Sequence, residues 1–493
     1  MTNLVLDVAI AGAGFGGLCA AIRLRGSGVK SIAILERSQE VGGTWRDNVY
    51  PGCACDVPSH LYSFSFEPNA HWTRPYPQQP EIQAYILRVA DKYQLRPLVR
   101  FGSDVQSMRW LPAQSCWQIE LAGQPALYAR HVVLATGPLN KPALPDIAGI
   151  ASFAGETFHS SHWRHDIDLR GKRIAVVGTG ASAVQFVPEI APQAAHVDVF
   201  QRTAAWVMPR WDTPYGNFKR WAYRHVPGLQ RLSRWRVYWF NEMVGIGFMG
   251  SKWVQTLLKR LSGHHLRSQV ADPALRTALT PDFNPGCKRL LISNTWFPTL
   301  QRPNVRLVTQ AVAGIAANGV VGADGTHYPC DVIIWGTGFK AAEFIAPMQV
   351  QGEAVRGETV QGIVPELGTH WRTHPAATRL GITVAGFPNL FMLVGPNTGL
   401  GHNSIIFMIE AQVDYIVQAL ASLSARKQMV LRLRPDVQQD DYALMQRKMK
   451  GTVWASGCKS WYQNAKGEID TLWPGYTWEY WLKTRRFQPR DYL

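Results

Sequence analysis

The first glycine-rich motif of the chain is suited to binding the pyrophosphate of a dinucleotide. Gly12, Gly14 and Gly17 stand at the spacing GxGxxG. Gly12 allows a tight turn, Gly14 lets a pyrophosphate approach the backbone, and Gly17 lets the following helix pack against a strand. Glu36, 24 residues after Gly12, is placed to accept hydrogen bonds from ribose hydroxyls. The motif therefore predicts a site for a dinucleotide with an unphosphorylated ribose, such as FAD.

A second motif repeats this plan with one informative difference. It runs through Gly178, Thr179, Gly180, Ala181, Ser182 and Ala183. Arg202, between Gln201 and Thr203, stands 24 residues after the first glycine of this motif, at the offset that an acid has in the first. A cation there can bind the 2′-phosphate that an acid would repel, so the second motif predicts NADPH. The alternative is that Arg202 only ends a strand at the surface.

The elements around the motifs are those of dinucleotide-binding domains. Each motif follows an apolar strand and precedes a helix and a second strand, and two further apolar strands end in the small-residue turns ATG and GTGF. We therefore predict an α/β fold with two Rossmann-like domains. The FAD domain is predicted to be discontinuous, comprising residues 1–148 and 341–493, and the NADPH domain to span 149–340 with a helical insertion at 209–283.

Composition limits the classes of protein to consider. The 493 residues carry 51 Lys and Arg against 35 Asp and Glu, a net charge of +16, with 46% hydrophobic residues. These values exclude a disordered chain and allow a large core. The positive charge would suit nucleic acid, an anionic membrane or a phosphorylated ligand, and the motifs favour the last. Seven scattered cysteines and the lack of a basic region before the first apolar stretch predict free thiols and a cytoplasmic protein.

Two longer patterns resemble those of one enzyme family. Phe153, Gly155, His159 and Trp163 stand at the spacing FxGxxxHxxxW, and residues 42–56 read GGTWRDNVYPGCACD. Together they resemble the Baeyer-Villiger monooxygenases, and the resemblance extends over essentially the whole chain. It implies an enzyme that uses FAD, NADPH and O2 to form a C4a-peroxyflavin and to convert a ketone to an ester or lactone. It also implies that His159 and Trp163 serve conformational change, and the two would share a face if their segment were helical.

The implied peroxide is an anion, so it needs a permanent cation close by. Lys288 and Arg289 stand in the segment NPGCKRLLISN, and arginine stays protonated where a lysine could lose its charge. The resemblance implies that Arg289 stabilises the peroxide and the adduct with the ketone, and that Asp56 pairs with Arg289 and holds it in place. The alternative is a solvated basic pair at the surface.

The resemblance implies further cofactor contacts. Those near the flavin are Thr44, Trp45, Tyr62 and Val105, with Asp56, and those near NADPH are Ala54, Cys55 and Lys288. Trp461 resembles a tryptophan of a mobile segment that closes over the nicotinamide, and its alternative is a place in the aromatic core.

Other functions remain open on the sequence. An N- or S-oxygenating flavin monooxygenase would share the cofactors, and a nonenzymatic or membrane-associated protein would bind FAD without substrate-linked turnover. Cys53 and Cys55 have the wrong spacing for a dithiol reductase, and no metal-ligand set is apparent. We expect a small ketone and O2 as partners, without nucleic acid or stable membrane insertion; the oligomeric state is open. The segment 293–305 resembles the branch that oxidises acyclic and aryl ketones.

The stretch 219–236 is basic and aromatic. It has six Lys and Arg, no acid, and Trp221, Tyr223 and Trp235 among them. It could form a membrane-surface helix or a solvated basic face of the helical insertion. The dipeptide Pro227-Gly228 interrupts any long amphipathic helix and favours the solvated face.

Overall fold

The computed structural model describes residues 4–353, 366–458, 460, 462–464 and 466–493. Two mostly parallel sheets, each joined to helices, organise these residues. The architecture confirms the predicted α/β class with two Rossmann-like units.

The first sheet contains the strand that precedes Gly12. Its order is β17-β4-β5-β6-β1-β2-β3, and β18 also pairs with β6. The parallel pairs β1/β2 and β1/β6 lie at its centre, and the residues of β2 are all buried, because both faces of a parallel sheet are covered. The strands are β1 (Val5–Ala11), β2 (Ile32–Leu35), β3 (Val99–Arg100), β4 (Val105–Leu111), β5 (Cys116–Leu121), β6 (Gln124–Leu134), β17 (Gln349–Gln351) and β18 (Leu390–Met392).

The second large sheet contains the strand that precedes Gly178. Its five strands, in the order β12-β9-β8-β16-β7, are all parallel. They are β7 (Glu156–His159), β8 (Arg173–Val177), β9 (His196–Phe200), β12 (Val305–Val308) and β16 (Val332–Trp335). Smaller sheets contain β10 (Val207–Met208) with β11 (Leu291–Ile292), and β13 (Val312–Ala316) with β14 (Gly319–Gly322) and β15 (His327–Pro329).

The helices cover the sheets and form a cluster between β10 and β11. Four helices, α5 to α8, lie within the predicted insertion at 209–283. The helices are α1 (Phe15–Gly26), α2 (Thr44–Asp47), α3 (Gln79–Lys92), α4 (Ala181–Ile190), α5 (Asn217–His225), α6 (Leu229–Phe248), α7 (Lys252–Gln269), α8 (Pro273–Ala278), α9 (Trp296–Leu300), α10 (Leu367–Thr373), α11 (Ile405–Ala425), α12 (Pro435–Met449) and α13 (Thr477–Thr484).

The predicted break at Pro227-Gly228 separates α5 from α6, and Gly228 has a φ of +79° that favours glycine. Helix α6 then continues for 20 residues without interruption. The basic stretch therefore belongs to two helices rather than one.

One described helix, α11, is long and apolar enough to cross a membrane when judged by length and composition alone. In the structure 56% of its most apolar window is buried inside the protein, and α11 packs against α1. Its Arg23–Asp414 contact, 3.8 Å long, links the two helices at the surface. The exact limits of the two predicted cofactor domains stay a prediction.

Candidate active site

A cavity of about 1090 Å³ lies where strands of both parallel sheets end. Its wall includes the residues that directly follow β1, β6, β8 and β16, at the carboxyl ends of these strands. Ligands of open α/β sheets bind at this edge. The cavity therefore joins the two predicted nucleotide sites in one space.

The turn between β1 and α1 has the geometry that a pyrophosphate site requires. Gly12 has a φ of +103°, and a Cβ there would lie 2.6 Å from the carbonyl oxygen of Ala135. Gly14 caps helix α1 and faces Gly43, with 3.6 Å between an added Cβ on Gly14 and the Gly43 Cα. Gly17 packs against the Gly12 carbonyl, so a side chain would collide there. Backbone amides thus reach the cavity without side chains in front of them.

Glu36 lines the cavity and is itself 4% exposed. Its carboxylate accepts hydrogen bonds from the backbone amide of Ala13 at 2.9 Å and from that of Ser38 at 3.0 Å. Arg46 forms an ion pair with it at 2.9 Å. This network fixes the position of the carboxylate beside the glycine turn.

The predicted flavin contacts lie together on the wall of the cavity. Trp45 donates a hydrogen bond from Nε1 to the Tyr62 hydroxyl at 3.0 Å, and Thr44 and Val105 line the same space. Burial raises the pKa of Tyr62 well above its ordinary value, so its hydroxyl stays protonated. The residues present therefore fit a dinucleotide with an aromatic ring system.

The second glycine turn matches the first. Gly178 has a φ of +107°, and a Cβ there would lie 2.5 Å from the Gly336 carbonyl oxygen. Gly180 caps helix α4. Thr179, Ala181 and Ser182 line the cavity. Ala183 and Gln201 are not among the cavity-lining residues: Ala183 packs against Gly336, and the Gln201 amide donates to the Ala278 carbonyl at 2.8 Å.

Arg202 and Lys288 come from distant parts of the chain and line the same part of the cavity, together with Thr203. The pKa of Lys288 is lowered by burial and then by the positive charge of Arg202, while Asp282 opposes the shift. The Lys288 ammonium lies 4.8 Å from the centre of the Phe283 ring. Among the described residues neither cation has a carboxylate within 4.0 Å, so the two form a site for an anion.

Arg289 and Asp56 form an ion pair across the cavity wall. The guanidinium donates from Nε and Nη2 to the same Asp56 oxygen, at 2.8 and 2.5 Å. The negative charge of Asp56 raises the pKa of Arg289 above its ordinary value, which is already too high for deprotonation. Both side chains retain partial exposure, 36% for Arg289 and 25% for Asp56. The pair thus holds a permanently protonated guanidinium in a fixed position on the cavity wall.

Tyr462 is a neighbour of this pair that the sequence analysis missed. It lines the cavity, is 1% exposed, and its pKa is raised to about 12 by burial, although the nearby Arg289 opposes this shift. A hydroxyl beside Arg289 adds a neutral donor at the site of the positive charge. Its neighbour in sequence, Trp461, lies outside the described residues.

The motif around Asp56 is attached to the second nucleotide unit by Gln185, another residue that the sequence analysis missed. The Gln185 amide accepts from the Tyr50 hydroxyl at 3.0 Å and from the Ala54 amide at 3.2 Å, and donates to the Ala54 carbonyl at 3.0 Å. Gly52 permits this contact, because a Cβ there would lie 2.8 Å from the Gln185 carbonyl oxygen. Asp56 is therefore positioned by residues of both units.

Cys53 and Cys55 are free, buried thiols. Burial raises the pKa of Cys53 to about 12 and raises that of Cys55 well above its ordinary value. Neither is a thiolate at neutral pH, which a dithiol redox pair would require.

The expectation that every cysteine is free was wrong. Cys287 and Cys458 form a disulfide, with 6.3 Å between their Cα atoms. The bond joins the residue before Lys288 to the segment before Trp461. The two cysteines are separated by 171 positions in the sequence, so no local pattern indicated this contact.

The fingerprint residues lie beside the second sheet rather than on the cavity wall. His159 ends β7, a 3-10 turn covers Ser160–His162, and Trp163 is extended. The segment is therefore not α-helical, and the condition under which the two residues would share a helix face is not met. The His159 ring lies 5.6 Å from that of Phe339, which lines the cavity. Trp163 packs against Phe158 and Phe186. Gly155 is required because a Cβ would meet the Asp331 carbonyl and the ring of Phe153.

Two dinucleotide turns and a permanent cation that face one cavity define a flavoprotein oxidoreductase that uses a nicotinamide cofactor. Comparison with known proteins agrees with this class. A family described as pyridine nucleotide-disulphide oxidoreductase matches residues 9–222.

The relatives make the class more specific. A Baeyer-Villiger monooxygenase of Pseudomonas aeruginosa is 43% identical over 98% of this chain and 90% of its own length. A Baeyer-Villiger monooxygenase of Streptomyces coelicolor is 44% identical over 98% of this chain and 92% of its own length. The solved structure of OTEMO, a complex with FAD and NADP, is 27% identical with a TM-score of 0.85 and 97% coverage of both chains. The chain belongs to the Baeyer-Villiger monooxygenase family. It is an NADPH-dependent flavoprotein monooxygenase with FAD as its second cofactor, as the sequence analysis predicted.

Proposed function

We propose that this enzyme uses NADPH and O2 to insert one oxygen atom beside a ketone carbonyl, giving an ester or lactone, and that Arg289 is its central catalytic residue. The observation that carries the proposal is the Arg289–Asp56 pair on the wall of the cavity that both glycine turns face. Acyclic and aryl ketones remain the predicted substrates, and a cytoplasmic location remains the predicted one.

Residues of the first unit would hold FAD. The glycine turn at Gly12 and Gly14 would receive the pyrophosphate, Glu36 the ribose, and Trp45 and Tyr62 the ring system. When bound and reduced by NADPH, FAD supplies the activation of O2. Two observations support this assignment: Gly12 has a positive φ, and no side chain of the glycine turn stands between the backbone amides and the cavity.

Residues of the second unit would hold NADPH. The turn at Gly178 and Gly180 would receive the pyrophosphate, and Arg202 with Lys288 would bind the 2′-phosphate. The positive charge of Arg202 adds to burial in lowering the pKa of Lys288, and a bound phosphate would supply a counter-charge to both cations. Ala54 and Cys55 lie on the wall between the two units.

Arg289 would stabilise the negative charge that develops on oxygen as the new carbon–oxygen bond forms. At about 4 Å and an effective dielectric near 20, the attraction is of order 4 kcal/mol, close to three decades in rate if it acts in the transition state. Asp56 would keep the guanidinium in one orientation, since two of its N–H groups, on Nε and Nη2, donate to the same carboxylate oxygen. Tyr462 would complete the polar side of the pocket and exclude water by its bulk.

The test is Arg289→Ala in the holoenzyme. We expect normal FAD content and normal anaerobic reduction by NADPH, with ester formation lost, because the side chain acts only on the oxygen-transfer step. Arg173→Ala, which removes an exposed arginine paired with Asp331, is the matched control and should keep full activity. Ester formation by Arg289→Ala at the normal rate would refute the assigned role.

A further inference from the structure

The outward face of α6 is apolar. Eight of its side chains are exposed, and six of these are hydrophobic, with exposures from 39% to 67%. Apart from the adjacent pair Trp239 and Phe240, they recur every three or four residues and so lie on one side of the helix. They are Leu232, Trp235, Trp239, Phe240, Met243 and Ile246. A helix on the surface of a globular protein normally turns such a stripe toward the core.

The inward side of α6 buries Phe248 together with polar groups, and the contacts of these polar groups fix the rotation of the helix. Arg234 donates to the carbonyls of His60 and Ser63 at 3.1 and 2.8 Å. Glu242, which is 3% exposed, accepts from the Asn403 amide at 2.5 Å. Turning the apolar stripe inward would break these buried charged hydrogen bonds. The outward direction of the stripe is therefore part of the fold.

Neighbouring helices add exposed apolar side chains. Helix α5 exposes Phe218 at 79% and Trp221 at 52%, and α7 exposes Trp253 at 75% and Leu257 at 50%. Helix α7 begins four residues after α6 ends and packs against it. We call these four residues and the six of α6 the aromatic surface. It exceeds the scattered single hydrophobic residues that are normal at a protein surface.

The aromatic surface lies in the most basic part of the chain. Residues 213–271 contain ten Lys and Arg and one acidic residue, Glu242. Glu242 is buried in the protein and accepts a hydrogen bond from Asn403. The exposed charges of this segment are therefore all positive. Arg231 and Arg236 are exposed on α6 itself, beside the apolar stripe. A partner for this region must be both anionic and able to accept apolar side chains.

We propose that the aromatic surface binds peripherally to a bilayer that contains anionic lipid, with α6 parallel to the membrane plane. Tryptophan prefers the boundary between headgroups and acyl chains, and arginines beside it attract anionic headgroups. Nucleic acid would match the charge and the aromatic rings but not Leu232, Met243 and Ile246. A second copy in a two-fold interface would place two positive surfaces against each other. Of these three partners, the bilayer satisfies both properties.

The first experiment is flotation of the FAD-loaded protein with vesicles. We expect binding to vesicles of phosphatidylcholine with about one-third phosphatidylglycerol, weak binding to phosphatidylcholine alone, and release at about 0.5 M salt. Replacing Trp235, Trp239 and Phe240 by serine, or Arg231 and Arg236 by glutamate, should lower the partition coefficient at least roughly tenfold. All five side chains point to solvent, so these variants should keep their FAD, thermal stability and ketone turnover.

Matched controls change exposed apolar and positively charged residues elsewhere. Met429 and Leu493 are exposed outside the helical insertion, at 53% and 69%, and their replacement by serine should leave vesicle binding unchanged. The double variant Arg486→Glu, Arg490→Glu reverses two charges outside the aromatic surface and should also leave vesicle binding unchanged. Absence of binding to the anionic vesicles, or equal losses in the control variants, would overturn the proposal. Sedimentation that shows a dimer dissociated by the α6 serine variants would assign the surface to a second copy and also overturn it.

Discussion

Replacement of Asp56 by asparagine separates the charge of Arg289 from its orientation. Arg289 donates two hydrogen bonds to one Asp56 oxygen, at 2.8 and 2.5 Å. Asparagine has nearly the same shape and keeps one acceptor, but it has no negative charge. The guanidinium remains protonated even without Asp56, because an arginine does not lose its proton at any pH of the assay. The variant therefore removes the counter-charge and one orienting acceptor of Arg289 while the positive charge of Arg289 is kept.

The expected loss follows from the contacts that change. A hydrogen bond to a charged group contributes about 1.5 to 3 kcal/mol, and at about 1.36 kcal/mol per decade this corresponds to a decrease in kcat of about 10- to 150-fold. Binding of NADPH should change little, because the Arg202 and Lys288 contacts are kept. The fraction of NADPH oxidised without ester formation should rise.

The assay compares ester formed with NADPH consumed under saturating ketone, and anaerobic flavin reduction by NADPH is measured separately. Asp166→Asn is the control, since Asp166 forms a 2.5 Å ion pair with Arg164 on the exposed surface. Unchanged kcat and coupling in Asp56→Asn would refute the positioning role. An equal loss in flavin reduction would also refute it, because the effect would then precede oxygen transfer.

Three further predictions follow from other contacts. Arg202→Gln should raise the KM for NADPH about 10- to 100-fold and leave that for NADH unchanged, because only NADPH carries the 2′-phosphate; equal effects on both would contradict the assignment. Gly12→Ala should purify with little FAD, because the added Cβ meets the Ala135 carbonyl at 2.6 Å, and flavin absorbance relative to protein absorbance measures this. Burial lowers the pKa of both His60 and His159 to about 4, below the ordinary value near 6.5, so the unfolded state binds more protons between these values. The free energy of unfolding should therefore fall as pH falls from about 6.5 to 4, by at most about 1.4 kcal/mol per pH unit for each histidine; urea unfolding that is independent of pH there would contradict it.

Features set by local structure could be predicted from the sequence. The turns at Gly12 and Gly178 follow from glycine spacing between an apolar strand and a helix, and both have the positive φ that the motif requires. Features that depend on long-range contact could not. Asp56 and Arg289 are 233 residues apart, so only the family resemblance linked them. The family resemblance implied nothing about Cys287 and Cys458, so their disulfide was not predicted.

Helical spacing alone also failed to predict the local structure of one segment and the buried face of another. His159 and Trp163 stand four residues apart, yet a strand end and a 3-10 turn separate them, because β7 pairs with β16 up to His159. The apolar spacing of α6 would normally indicate the buried face, but the contacts of Arg234 and Glu242 turn that face outward. Periodicity identifies the stripe and does not say what covers it.

The central claim is that this enzyme inserts oxygen beside a carbonyl. The most direct measurement incubates the FAD-loaded enzyme with NADPH, isotopically labelled O2 and a mixture of acyclic, aryl and cyclic ketones with a thioether and an amine, and analyses the products by mass spectrometry. We predict an ester or lactone that carries one labelled oxygen atom for each NADPH consumed in its formation. Labelled sulfoxide or amine oxide without any ester would contradict the claim.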